Sequence, residues 1–167
     1  MKTKVVFIAL GAGALLSGCT TSESGMILDQ VGPPPAPVSG ITSTNGTLVV
    51  YSAFEAGADF NSRDPYRQEY SDYKIFSPDG KLLQRVHNDS GTVLVSPTPV
   101  GLPAGRYRVV ARANGYGTVT VPVLVEAHQV TTIHLEGGGS WPDEPAFGKT
   151  NAVRLPGGEI IGWRMAS

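Results

Sequence analysis

The most constraining feature of this sequence is a strict two-residue alternation in its third quarter. Tyr107, Val109, Ala111 and Ala113 alternate with Arg106, Arg108, Val110 and Arg112. Beyond Asn114-Gly115-Tyr116-Gly117, Val119, Val121, Val123 and Val125 alternate with Thr118, Thr120, Pro122 and Leu124. Successive side chains of a strand point to opposite faces, so this period specifies strands with one buried face. An amphipathic helix would repeat its apolar residues every three or four positions. Pro122 has no N–H to offer a ladder, which places it at a sheet edge or a bulge.

Other segments read the same way. Thr47 to Phe54 is β-branched and aromatic, and Tyr70 to Phe76 alternates. Ser77-Pro78-Asp79-Gly80 is a turn, because Pro presets φ and Gly accepts positive φ, and Lys81 to His87 runs back to make a hairpin. A turn at Asn88–Gly91 leads into Thr92 to Ser96, and Gln129 to Leu135 presents Thr131, Ile133 and Leu135 inward. Seven short strands with turns between them, and no helical pattern, predict an all-β fold. The expected architecture is a seven-stranded antiparallel β-sandwich over residues 46–136. In residues 137–167, Ala152 to Leu155, Pro156-Gly157-Gly158 and Glu159 to Arg164 predict a small C-terminal hairpin or tail. Isolated hairpins are marginal, so Ile160 and Trp163 need a surface to pack on.

Composition narrows the function. With 13 Lys plus Arg against 14 acids, the chain has no basic excess for nucleic acid, and 41% hydrophobic residues exclude wholesale disorder. A single Cys excludes an internal disulfide and a thiolate zinc cluster. That Cys stands at the end of a targeting segment. Lys2 and Lys4 precede an apolar run, Val5 to Leu16, which is too short to span a bilayer. The run closes on Leu16-Ser17-Gly18-Cys19, which resembles the lipobox of bacterial lipoproteins. The resemblance implies a signal peptide at residues 1–18, and lipid, palmitate included, on Cys19 as the first mature residue. It also implies a membrane partner in the bacterial cell envelope. Thr20 replaces the Asp that often retains such lipoproteins at the inner membrane, so the outer membrane is the expected address. Losing Lys2 and Lys4 leaves 11 basic residues against 14 acids, a mature charge of −3. Residues 19–45 carry Gly32-Pro33-Pro34-Pro35-Ala36-Pro37. Such a segment favours extended conformations and predicts a disordered tether between lipid and domain, or else a proline-rich ligand for an aromatic groove. Ile27 and Leu28 stand isolated within it.

A second resemblance lies in the body of the chain. Leu102-Pro103-Ala104-Gly105-Arg106-Tyr107-Arg108-Val109-Val110-Ala111, followed by Gly115-Tyr116, is similar to the carboxypeptidase regulatory-like domains. Those share the transthyretin (prealbumin) sandwich, in which a Leu-Pro-x-Gly turn leads into a strand with Tyr inward. The resemblance covers about residues 46–136 and implies a structural, adhesive or folding module. Surface-adhesin repeats of a related sandwich type fit the same motif. One transthyretin branch hydrolyses hydroxyisourate and ends in Tyr-Arg-Gly-Ser. This chain ends Trp163-Arg164-Met165-Ala166-Ser167, so that activity is not carried over.

No local catalytic or metal constellation stands out. His87, His128 and His134 lack metal-pair spacing and read as surface residues, and neither a metal nor a cofactor is expected. The loop from Glu55 to Tyr66 holds Asp59, Asn61 and Asp64. It departs from the calcium-loop pattern because Pro65 sits where Gly is needed; it reads as a solvated acidic loop, with calcium or partner recognition as rivals. Arg106, Arg108 and Arg112 line one strand face, either as a solvated stripe paired with neighbouring acids or as a surface for anionic glycan, peptidoglycan or a carboxylate-rich partner. Trp141, Phe147 and Trp163 are either tail anchors or stacking platforms for sugars. The expected function is a non-enzymatic envelope lipoprotein in protein binding or structural support. The alternatives are a carbohydrate- or peptidoglycan-binding module and a hydrolase with a dispersed site.

Overall fold

A computed structural model describes residues 25–33, 44–56, 68–88, 95–137 and 151–164. It is all-β, with no α-helix among the described residues and hence none long and apolar enough to cross a membrane. The twelve strands are β1 (Met26–Ile27), β2 (Asn45–Tyr51), β3 (Phe54–Ala56), β4 (Gln68–Tyr70), β5 (Tyr73–Phe76), β6 (Leu82–Val86), β7 (Val100–Pro103), β8 (Gly105–Ala113), β9 (Gly117–Val125), β10 (Val130–His134), β11 (Ala152–Arg154) and β12 (Ile160–Trp163).

Two sheets carry the body. One is five-stranded, in the order β1-β9-β8-β5-β6, and the other three-stranded, in the order β10-β2-β7. Both bury one face in a shared core. Val109, Val119, Val121, Ile75, Leu48, Val50 and Ile133 are all fully enclosed. The alternation of β8 and β9 is realised as expected, with the two strands paired from Gly105↔Val125 to Ala113↔Gly117. The turn at Ser77–Gly80 is also realised. The Gly80 N–H donates to the Ser77 carbonyl at 3.0 Å, and Gly80 takes φ 94°, a conformation that disfavours any side chain.

Four expectations need correction. The sheets are mixed rather than antiparallel, because β10 runs parallel to β2 and β1 runs parallel to β9. A parallel partner leaves the same alternation in a strand as an antiparallel one, so periodicity does not separate them. Second, Val100–Pro103 is an unforeseen strand, β7, which pairs with β2 from Leu48↔Val100 to Asn45↔Pro103, and the Leu-Pro-x-Gly segment bends only at Ala104 before entering β8. The expected strand at Thr92–Ser96 lies mostly outside the described residues, and residues 95–96 are not in a strand. Third, the expected strand Tyr70–Phe76 is broken at Ser71-Asp72, giving β4 and β5.

The fourth correction concerns the tether. Residues 25–32 are not a solvated leash but part of the five-stranded sheet. Met26 and Ile27 pair with Val119 and Thr120, and Val31 bridges Val123. Val31 is 0% exposed and Leu28 is buried with it. The segment bulges between Ile27 and Val31, opposite Pro122. The Val31 N–H donates to the Pro122 carbonyl, and the Leu124 N–H donates to the Val31 carbonyl. The even positions of β9 therefore face this segment, and the N–H that Pro122 lacks would have pointed at the bulge. Residues 34–43, with most of the proline run, lie outside the described residues, as do Cys19 and the signal segment.

The C-terminal hairpin forms from β11 and β12. Val153, Leu155 and Ile161 enter the common core, and the Gly32 N–H donates to the Trp163 carbonyl at 2.9 Å. Gly162 is needed for this docking, since a Cβ there would lie 2.6 Å from Val31 Cγ1.

Candidate functional site

The register gives the body two distinct ends. β8 runs from Gly105 to Ala113 and β9 returns from Gly117, so the turn 114–116 marks one end. The Asn114 N–H donates to the Leu135 carbonyl and the Ala53 N–H to the Arg112 carbonyl. The last residues of β2 and β10 therefore meet at this same end, with the β3–β4 ribbon beside them. Ala104, the Ser77–Lys81 turn and the connection 126–129 mark the opposite end.

The three arginines of β8 share the outward face of the five-stranded sheet but are not gathered into one cluster. Six residues separate Arg106 from Arg112, which is about 20 Å along a strand. Arg106 is exposed at the far end. Arg108 sits between Phe76 and Pro122 in the register, and its buried Nε has no partner among the described residues. Arg112 forms an ion pair with Glu55. Both members are about half exposed, so the pair adds little stability.

Beside Arg112 lies a shallow cleft of about 190 Å³, lined by Asp72, Lys74, Arg85, Val110, Arg112 and Thr118 among others. Lys74 and Arg85 are direct cross-strand neighbours. Asp72 is engaged by His87 at 2.9 Å. The cleft is thus lined by three basic side chains and one acid, with Arg112 already paired to Glu55. Trp163 is half-buried on β12 and serves the hairpin's docking, while Trp141 lies outside the described residues. Asp59, Asn61 and Asp64 also lie outside them, so the calcium reading of that loop is not addressed.

The second assembly was not foreseen. Tyr51 stacks on His134 with ring centres 4.2 Å apart and planes at 10°. Tyr70 meets Tyr51 edge-on at 5.6 Å and stacks on Phe54 at 4.7 Å. His134 Nδ1 lies 2.6 Å from Glu136 Oε1, and Glu136 is only 8% exposed. Burial pushes the Tyr70 phenol up to about 12, reinforced by the negative field of Glu136 and by Tyr51. His134 does point outward as expected, yet it is shielded by Tyr51. The His-x-Glu spacing at a strand end was the available signal.

A buried polar tie supports this end. Asn88 Nδ2 donates to the Val50 carbonyl at 2.8 Å and to Ser52 Oγ at 2.9 Å, and Ser52 Oγ donates to the Ser71 carbonyl. Asn88 Oδ1 accepts from the Thr98 N–H at 3.0 Å. Asn88 was read only as a turn residue; it is fully buried.

Among the described residues no group of three His, Cys, Asp or Glu side chains is placed to hold a metal ion. No family model, curated protein or solved structure matches the chain.

Proposed function

We propose that this chain is a lipoprotein of a bacterial cell envelope, anchored by lipid on Cys19 and displaying a prealbumin-like β-sandwich that acts without catalysis. Its role is protein binding or structural support, and its address is the outer membrane. The observation that carries the reading is the position of the single Cys. It closes the lipobox-like Leu16-Ser17-Gly18-Cys19, and the all-β body begins shortly after it, at Met26. The sandwich reading is supported by two sheets, of five and three strands, that share one core.

Palmitate labelling tests the anchor: the Cys19→Ala variant is expected to lose label and membrane fractionation. Unchanged fractionation of that variant refutes it. The basic side chains Lys74, Arg85 and Arg112 around one cleft favour a second reading, a carbohydrate- or peptidoglycan-binding module that takes an anionic group. Pull-down on isolated cell wall, with Lys74→Glu plus Arg85→Glu as control, discriminates; no binding by the unaltered domain removes this reading.

A further inference from the structure

We infer that the end of the body bearing Met26, Ile27, Phe54 and the turn 114–116 rests against the phospholipid surface, with the strands directed away from it. The inference rests on lipid attachment at Cys19 and goes further, by assigning which surface meets the bilayer.

The first step is topological. The proline run follows β1, so it lies between β1 and β2 and not between lipid and body. Only the six residues from 20 to 25 join Cys19 to Met26. A chain gains at most about 3.3–3.6 Å per residue, so over the seven steps from Cys19 to Met26 this leash reaches at most about 25 Å.

The second step is the place where the chain joins the fold. Met26 pairs with Val119, two residues from the start of β9, and β1 runs parallel to β9 away from the turn 114–116. The nine-residue strands β8 and β9 give the body a length of about 30 Å in that direction. From Met26, opposite Val119, the end of β9 at Val125 is six residues or about 20 Å away, so only a leash drawn out fully and laid back along the body brings the opposite end, with Arg106 and the Ser77–Lys81 turn, to the bilayer; a relaxed leash leaves the near end there.

The third step is the chemistry of the near end. Ile27 is 75% exposed, the most exposed large apolar side chain of the described residues, and Met26 and Phe54 are each 40% exposed. At the same end Tyr51 and Tyr70 carry apolar rings with a polar tip, the side-chain type that suits the boundary between headgroups and acyl chains. Leu82, Leu83 and Val130 are exposed too, but they lie at the far end and provide the internal reference.

The experiment uses the full acylated protein, reconstituted in vesicles of phosphatidylethanolamine and phosphatidylglycerol. A spin label is placed at Ile27→Cys or at Leu83→Cys, both exposed sites, and the fold of each is checked by circular dichroism. Relaxation by a nickel chelate carried on a lipid headgroup is expected at position 27. At position 83 it is expected to be lost, falling to the level of the unacylated Cys19→Ser protein. An acylated protein with equal relaxation at both positions, or more at 83, overturns this inference and leaves the anchor standing. A protein whose mass shows no acyl group on Cys19 overturns both.

Discussion

Val31 is the side chain whose removal best tests the incorporation of the N-terminal segment. It is wholly buried, bridges Val123 and lies against Gly162 of β12. Val31→Ala removes two methyl groups, worth about 1.6 kcal/mol of transfer free energy. The space left behind adds roughly 1 kcal/mol if the hairpin does not collapse onto it. The expected loss is therefore about 2–3 kcal/mol, or roughly 1 M in the urea midpoint for a domain of this size. The reference is Ile27→Ala, four residues earlier in the same segment, whose side chain is mostly in water. That change is expected to stay within about 0.5 kcal/mol. Urea unfolding followed by far-ultraviolet circular dichroism, on the mature chain with Cys19→Ser, gives both midpoints. A Val31→Ala midpoint no lower than that of Ile27→Ala refutes the docking of this segment and restores a solvated tether.

Gly162→Ala brings a Cβ against Val31 and within 3.3 Å of the Thr132 carbonyl; it is expected to cost about 1–3 kcal/mol and to speed amide exchange at Gly32, whose N–H is held by Trp163. The Tyr73 hydroxyl is buried with no partner among the described residues, so Tyr73→Phe is expected to leave stability unchanged or raise it by up to about 1 kcal/mol in the same urea assay. Tyr70 has its folded pKa raised from 10.0 to about 12, so its contribution is complete below pH 10 and is lost as pH rises through about 12; Tyr70→Phe is expected to flatten the alkaline fall in thermal midpoint over that window. Asn88→Ala strands the Val50 carbonyl, Ser52 Oγ and the Thr98 N–H and is expected to cost about 2–4 kcal/mol, whereas Arg112→Ala, at a half-exposed ion pair, is expected to cost under about 1 kcal/mol by thermal melting.

Much of the fold was legible because strand period and turn chemistry are local. The valines of β9, the inward residues of β8 and β10 and the Ser77–Gly80 turn follow from neighbours along the chain. The C-terminal hairpin was legible for the same reason, through Pro156-Gly157-Gly158 between two apolar stretches. The candidate site was far less legible. The arginine stripe was visible as a spacing, but its pairing of Arg112 with Glu55, fifty-seven residues away, was not. The aromatic group of Tyr51, Phe54, Tyr70 and His134 draws on four separate strands, and no spacing in the sequence joins them.

By itself the sequence determined that the chain is all-β, where the inward faces of its longest strands lie, and where its only Cys stands. Beyond the hairpins, tertiary structure alone decided which strands pair and in which direction. A period of two is the same for parallel and antiparallel partners, so β10 beside β2 could not be read in advance. It decided that Leu28 and Val31 leave the proline-rich segment for the core, because burial depends on an empty position beside β9 and not on local composition. It also decided at which end the chain joins the body. The proposed orientation of the domain on a membrane rests on that choice.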